Sequence, residues 1–137
     1  MTRFAVTVAV AALVLTACGG GQPADGVEVT LRDYAVEIVD SSLAAGTTRL
    51  AIHNAGATVH ELEVFAVPAG VDAAALPVVS GVADTDSAGL TVVDEIEDIV
   101  PGTSPTLSVN LQPGTYAFIC NLPTHYELGM HAVVTVE

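Results

Sequence analysis

Along most of the chain apolar and polar residues alternate at every second position, and turn residues recur at short intervals. A period of two is that of a half-buried strand, and strands separated by frequent turns predict an all-β sandwich. Val27, Val29 and Leu31 alternate with Glu28, Thr30 and Arg32; beyond them the apolar phase passes to Tyr34, Val36 and Ile38. A β-bulge near Asp33 would produce that slip, because one extra residue re-aims the faces of a strand. After a turn at Ala45-Gly46 a strand is expected from Thr47 to Asn54, with Leu50 and Ile52 inward and His53 outward. Asn54-Ala55-Gly56-Ala57-Thr58 reads as a turn. The next strand, His60 to Val67, puts His60, Leu62, Val64 and Ala66 on one side and Glu61 and Glu63 on the other.

The pattern weakens between Pro68 and Pro105. Asp72 to Leu76 is compatible with a short helix and Leu90 to Val93 with a strand, Asp94 to Asp98 is a cluster of acids around Ile96, and Gly70 to Gly89 reads as a long excursion between strands. Alternation then returns. Thr106 to Leu111 places Leu107, Val109 and Leu111 inward and closes at the turn Gln112-Pro113-Gly114. In the run Gly114 to Ile119, Tyr116 and Phe118 share a parity with Cys120; in the last strand Met130, Ala132, Val134 and Val136 share one, which sends His131 away from Met130.

Between those last two strands lies C-N-L-P-T-H-Y-E-L-G-M, with Cys120, His125 and Met130 at steps of five residues. Soft sulfur donors beside an imidazole select copper, and two histidines, one cysteine and a long axial methionine make a blue-copper electron-transfer site. The remaining histidine is then sought elsewhere, and His60, leading the inward phase of its strand beside a turn, is the candidate. His53 and His131 are read as surface residues.

The N-terminus changes the cellular picture. Arg3 precedes an apolar run, Phe4 to Leu15, followed by Leu15-Thr16-Ala17-Cys18, which resembles a bacterial lipobox. The run is shorter than the roughly 20 apolar residues a spanning helix needs, so residues 1–17 are expected to be a cleaved export signal, with an uncleaved anchor as the rival. Cys18 would carry the lipid, residues 18–26 would be a flexible tether, and residues 27–137 the domain. Of two cysteines, Cys120 is then a lone thiol outside the cytoplasm, the alternative being a Cys18 to Cys120 disulfide. Sixteen acidic residues stand against three arginines and no lysine, and without Arg3 the net charge is −14. Such a surface repels nucleic acid; it either steers a basic partner or serves solubility alone.

With N-A-G-A-T-V-H-E at Asn54 to Glu61 and the Cys120 to Met130 loop both in place, the chain from Val27 onward resembles a cupredoxin, with a C-x4-H-x4-M loop similar to that of rusticyanin and sulfocyanin. The resemblance implies a Greek-key β-sandwich and one type 1 copper, held by Cys120, His60 and His125 in a plane with Met130 axial. It implies a single-electron carrier docking through an apolar patch at His125, here expected to be monomeric and, from the lipobox-like sequence, tethered to the membrane. Its partner would be a redox protein such as a c-type cytochrome or terminal oxidase. Where relatives usually have Asn after the first histidine, this chain has Glu61, so the brace between copper loops must differ; Glu61 serves through its carboxylate or faces solvent. Competing functions are a copper oxidase or nitrite reductase, a copper-trafficking lipoprotein, and a metal-free interaction module. Four histidines leave only two for a catalytic copper, and the two methionines, Met1 and Met130, form no Met-rich tract.

Overall fold

The computed structural model describes residues 26–137. The expected signal, tether and lipidated Cys18 lie outside the described residues. The elements are β1 (Val27–Arg32), β2 (Ala35–Ile38), β3 (Ser42–Leu43), β4 (Gly46–Asn54), β5 (His60–Val67), β6 (Val78–Val79), β7 (Val82–Ala83), β8 (Thr91–Ile99), β9 (Thr106–Leu111), β10 (Gly114–Ile119) and β11 (His131–Val136). One sheet has the order β2-β1-β4-β9 and the other β3-β11-β10-β5-β8, with β6 and β7 a separate small hairpin. The chain changes sheet between β2 and β3, β3 and β4, β4 and β5, β8 and β9, and β9 and β10, which is the crossing path of a Greek-key sandwich.

Alternation builds the core. Val27, Val29 and Leu31 of β1 and Leu50 and Ile52 of β4 meet Leu62 and Val64 of β5 and Tyr116 and Phe118 of β10 in one cluster between the sheets. Cys120 and Met130 belong to the same cluster. The two expected sulfur donors therefore belong to the main core.

Three local expectations are corrected. The phase slip at Asp33 is a two-residue hairpin turn, in which Arg32 pairs with Ala35 and Tyr34 takes a φ of 68°. A bulge leaves the chain running on; this turn reverses it, and Tyr34 is exposed rather than part of the apolar face. Residues Asp72 to Leu76 form a turn, not a helix, and no helix occurs among the described residues. The Asp72 carboxylate accepts from Ala74 N–H and its carbonyl from Ala75 N–H, local bonds that compete with a helix. Finally, the acids from Asp94 to Asp98 lie within β8, whose register against β5 shifts twice, between His60 and Leu62 and between Val64 and Phe65. The bulges belong here, with Asp98 at a φ of 54°, and they scramble the alternation that would have disclosed a nine-residue strand.

A second, smaller core covers the outer face of β5 and β10. Phe65, Ala117 and Ile119 pack there against Ala73, Leu76, Ala83, Leu90 and Tyr126. The 70–89 excursion supplies Ala73, Leu76 and Ala83 of that cover, so β10 is buried on both faces.

Beside this core, Glu61 and Glu63 of β5 face Glu95 and Glu97 of β8. Glu63 lies directly across from Glu95, and burial first, then Glu61, Glu95 and Glu97, push its carboxyl up to about 7. A carboxyl raised in the folded state favours the protonated folded form, so stability falls as pH rises from the ordinary 4.5 toward 7. Glu63→Gln should remove that part of the slope. Unfolding free energies of wild type and variant, measured across this interval, should converge at low pH and separate above neutrality with the variant the more stable; parallel profiles would contradict the assignment.

Candidate metal centre

Three elements bring the donors together. β5 begins at His60, β10 ends one residue before Cys120, and the loop between β10 and β11 carries His125. One ligand atom each from His60, Cys120 and His125 lies within 4.8 Å of the other two. Cys120 Sγ is 3.3 Å from His125 Nδ1 and 4.0 Å from His60 Nδ1. Both rings thus turn Nδ1 toward the sulfur. His60 and Cys120 are fully buried, whereas His125 is half-buried. Met130 is also fully buried, and its carbonyl accepts from Cys120 N–H at 3.1 Å, which closes the loop at its neck.

Inside the loop His125 N–H donates to Leu122 O, Met130 N–H to His125 O, and Leu128 N–H to Thr124 O. Thr124 takes a φ of 73°, a left-handed conformation that only surrounding contacts can hold. Those contacts come from the 70–89 excursion. Thr124 N–H donates to Gly81 O at 2.7 Å, Asn121 Oδ1 accepts from Ala83 N–H at 2.7 Å, and Tyr126 Oη donates to Ala73 O and accepts from Leu76 N–H.

The departure at Glu61 resolves through its carboxylate. Glu61 Oε1 accepts from Asn121 N–H at 2.9 Å, tying the residue after the first histidine to the residue after the cysteine. The turn before His60 is held by Asn54, fully buried, whose Nδ2 donates to Thr58 O and Ile99 O while its Oδ1 accepts from Gly56 N–H. Asn54 was legible only as a turn residue. Its three bonds fix the entry to β5 and hence the position of His60.

The electrostatics suit a metal cation. Burial pushes the Cys120 thiol up, while the backbone N–H groups of Glu61 and Leu122 favour the thiolate. Burial, then the neighbouring His125, hold His60 below the ordinary imidazole range, keeping a neutral ring with a free lone pair. Only a bound cation would settle a buried thiolate here, and one thiolate, two imidazoles and a nearby thioether fit copper better than a hard oxygen-seeking ion. His53 is exposed and bonded to Ser104 Oγ at 2.9 Å, as a surface residue should be. His131 is not a simple surface residue: it is half-buried, its ring 4.8 Å from that of Tyr126.

Comparison with known proteins agrees with this geometry. The sequence model of the cupredoxin-like domain matches residues 5–136. The chain is 31% identical over 124 residues to the iron uptake system component EfeO of Escherichia coli O6:K15:H31, covering 90% of this chain but only 27% of that protein. It spans about a quarter of the length of the curated relatives it matches. Among solved structures, dithionite-reduced auracyanin from Roseiflexus castenholzii superimposes with a TM-score of 0.59 at 22% identity, covering 85% of this chain and 99% of that one. Rusticyanin from Thiobacillus ferrooxidans gives 0.52 at 15% identity, covering 84% and 79%. A further rusticyanin structure, described as a copper protein, gives 0.58 at 17% identity, covering 84% and 80%.

Proposed function

Because the chain belongs to the cupredoxin-like domain family, we propose that it is a single-electron carrier holding one type 1 copper through His60, Cys120, His125 and Met130. The observation that carries this reading is the convergence of His60, Cys120 and His125 within 4.8 Å at the end of the main core. A bound copper would supply a centre whose charge changes by one between Cu(II) and Cu(I). The chain's own residues do the rest. Cys120 and His60 are shut away from water, the Glu61 bond to Asn121 N–H keeps the two ligand segments in register, and the hydrogen-bonded loop limits rearrangement when the charge changes.

His125 is the least enclosed of the four donors, so electrons enter and leave at its edge. Tyr34 packs edge-on against it with ring centroids 5.6 Å apart. Tyr34 and Leu128 are exposed apolar side chains on segments adjoining His125, and a partner docking there meets an apolar face on a strongly acidic molecule. That combination suits brief contact with a redox protein such as a c-type cytochrome or terminal oxidase. In this reading the protein acts as a carrier, not an enzyme. We place it outside the cytoplasm as a monomer, lipid-anchored at Cys18 through the tether 18–26, a reading supported by the lipobox-like Leu15 to Cys18 sequence.

A second reading, metal binding for uptake or trafficking rather than redox cycling, is favoured by the similarity to an iron uptake component. One experiment separates the two. Copper(II) added to residues 27–137 should give an intense thiolate-to-copper absorption band, bleached by ascorbate and restored by an oxidant, and Cys120→Ser should lack it while retaining the fold. A band that forms but does not cycle favours trafficking; wild-type protein that stays colourless overturns the blue-copper reading.

A further inference from the structure

We infer that Asp33 is an outer positioning residue for the metal centre, a carboxylate set behind His60 to bias the site toward the more highly charged oxidation state. This rests on the electron-carrier reading above. His60 Nδ1 faces the Cys120 sulfur, so its other nitrogen points out of the site, and there Nε2 lies 3.2 Å from Asp33 Oδ1. The contact is off the axis of the Nε2–H bond, so it is an ionic approach rather than a well-directed hydrogen bond, and Nε2 has no other partner among the described residues. A buried ring nitrogen with a single carboxylate facing it carries its proton there, which leaves Nδ1 free to ligate.

Asp33 does not reach this position by chance of rotamer. Both its oxygens accept from Ala57 N–H at 3.1 Å, and Oδ1 also accepts from the Thr58 hydroxyl at 3.0 Å. These donors hold it ionised, with its carboxyl below the ordinary range. Gly56 completes the arrangement: a Cβ there would stand 2.6 Å from His60 Nε2 and 2.7 Å from Asp33 Oδ1. Three separate segments, the β1–β2 turn, the 55–59 turn and the start of β5, are thus shaped around one histidine–carboxylate contact.

The consequence is electrostatic. A fixed negative charge against the outer nitrogen of a ligand imidazole makes that ligand more basic and stabilises Cu(II) relative to Cu(I). Its neighbour in the turn, Tyr34, meets the other histidine, so one two-residue turn touches both rings, but only Asp33 carries charge.

The test is the midpoint potential of Asp33→Asn beside wild type, both loaded with copper. Asparagine keeps an oxygen for Ala57 and Thr58 and removes the charge. The potential should rise so that the Cu(I) to Cu(II) ratio at a fixed ambient potential increases about tenfold, a shift of ~59 mV for one electron, with the blue band retained. A purely structural role would instead disturb the band or the melting temperature and leave the potential where it was, and an unchanged potential with an intact band overturns the inference. A wild-type protein without the band fails the electron-carrier reading first, and this inference with it. Should Asp33→Asn not fold, wild type alone decides: in the reduced protein the His60 ring proton should reside on Nε2 and exchange more slowly than that of His125. Its absence from that position would overturn the assignment.

Discussion

Phe118→Ala is expected to lower the unfolding free energy by about 3–5 kcal/mol. Phe118 is fully buried and the bulkiest of the wholly buried side chains. It sits on β10, with Val64 of β5 opposite on one side and Ala132 of β11 on the other. Truncation leaves a void bounded on all sides by paired strands, which cannot collapse to fill it, so both the transfer loss and the cavity loss are felt in full. Domains of this kind are stable by roughly 5–15 kcal/mol, so the loss is a large part of the total. Denaturant titration of the metal-free protein should show a lower midpoint at unchanged slope. Copper in excess should raise the stability of wild type and variant alike and leave the difference between them, because a ligand that binds only the folded state shifts both equilibria toward it. A loss below about 1 kcal/mol would mean that β10 is not packed as described.

Gly56→Ala is expected to cut copper affinity about 10- to 100-fold, the usual effect of disturbing the groups that orient a metal ligand. The added carbon would lie 2.6 Å from His60 Nε2, 2.7 Å from Asp33 Oδ1 and 3.1 Å from Asp33 N. The ring and the backbone nitrogen cannot retreat cheaply. The His60 ring is fully buried, and the Asp33 backbone belongs to a two-residue turn tied to the hydrogen-bonded β1–β2 ladder. The substitution therefore moves the ring, and with it Nδ1, on the side away from the donor loop. Competition for Cu(II) against a chelator gives the affinity, and the thermal midpoint of the metal-free protein separates ring displacement from unfolding. Wild-type affinity would show that the His60 pocket has slack the structure does not display.

What the sequence disclosed about this site, and what it withheld, follows from the range of the interactions. Cys120, His125 and Met130 lie within one loop, so spacing alone brings them into view, and His60 was found because strand parity turned it inward. Glu61 could be singled out but not assigned, since its partner, the Asn121 amide, is 60 residues away. Asp33 was visible only as the place where alternation slipped. A bulge and a tight turn interrupt the pattern alike, and nothing local says that the turn comes back against the 55–59 segment. Gly56 and Asn54 looked like ordinary turn residues for the same reason. The β8 strand was masked by its own bulges and its acids, because period-two reasoning needs an unbroken register.

The anchoring of Asn121, Thr124 and Tyr126 to Ala83, Gly81, Ala73 and Leu76 bears on how such a site can be transplanted. Grafting residues 120–130 alone into another sandwich would carry the donors across but strip Thr124 of the carbonyl that holds its left-handed backbone and Tyr126 of both partners of its hydroxyl. The portable unit is discontinuous in sequence. It joins the eleven-residue loop to the segment some forty residues upstream, and an exchange between homologues that swaps one without the other should inherit the ligands without their geometry.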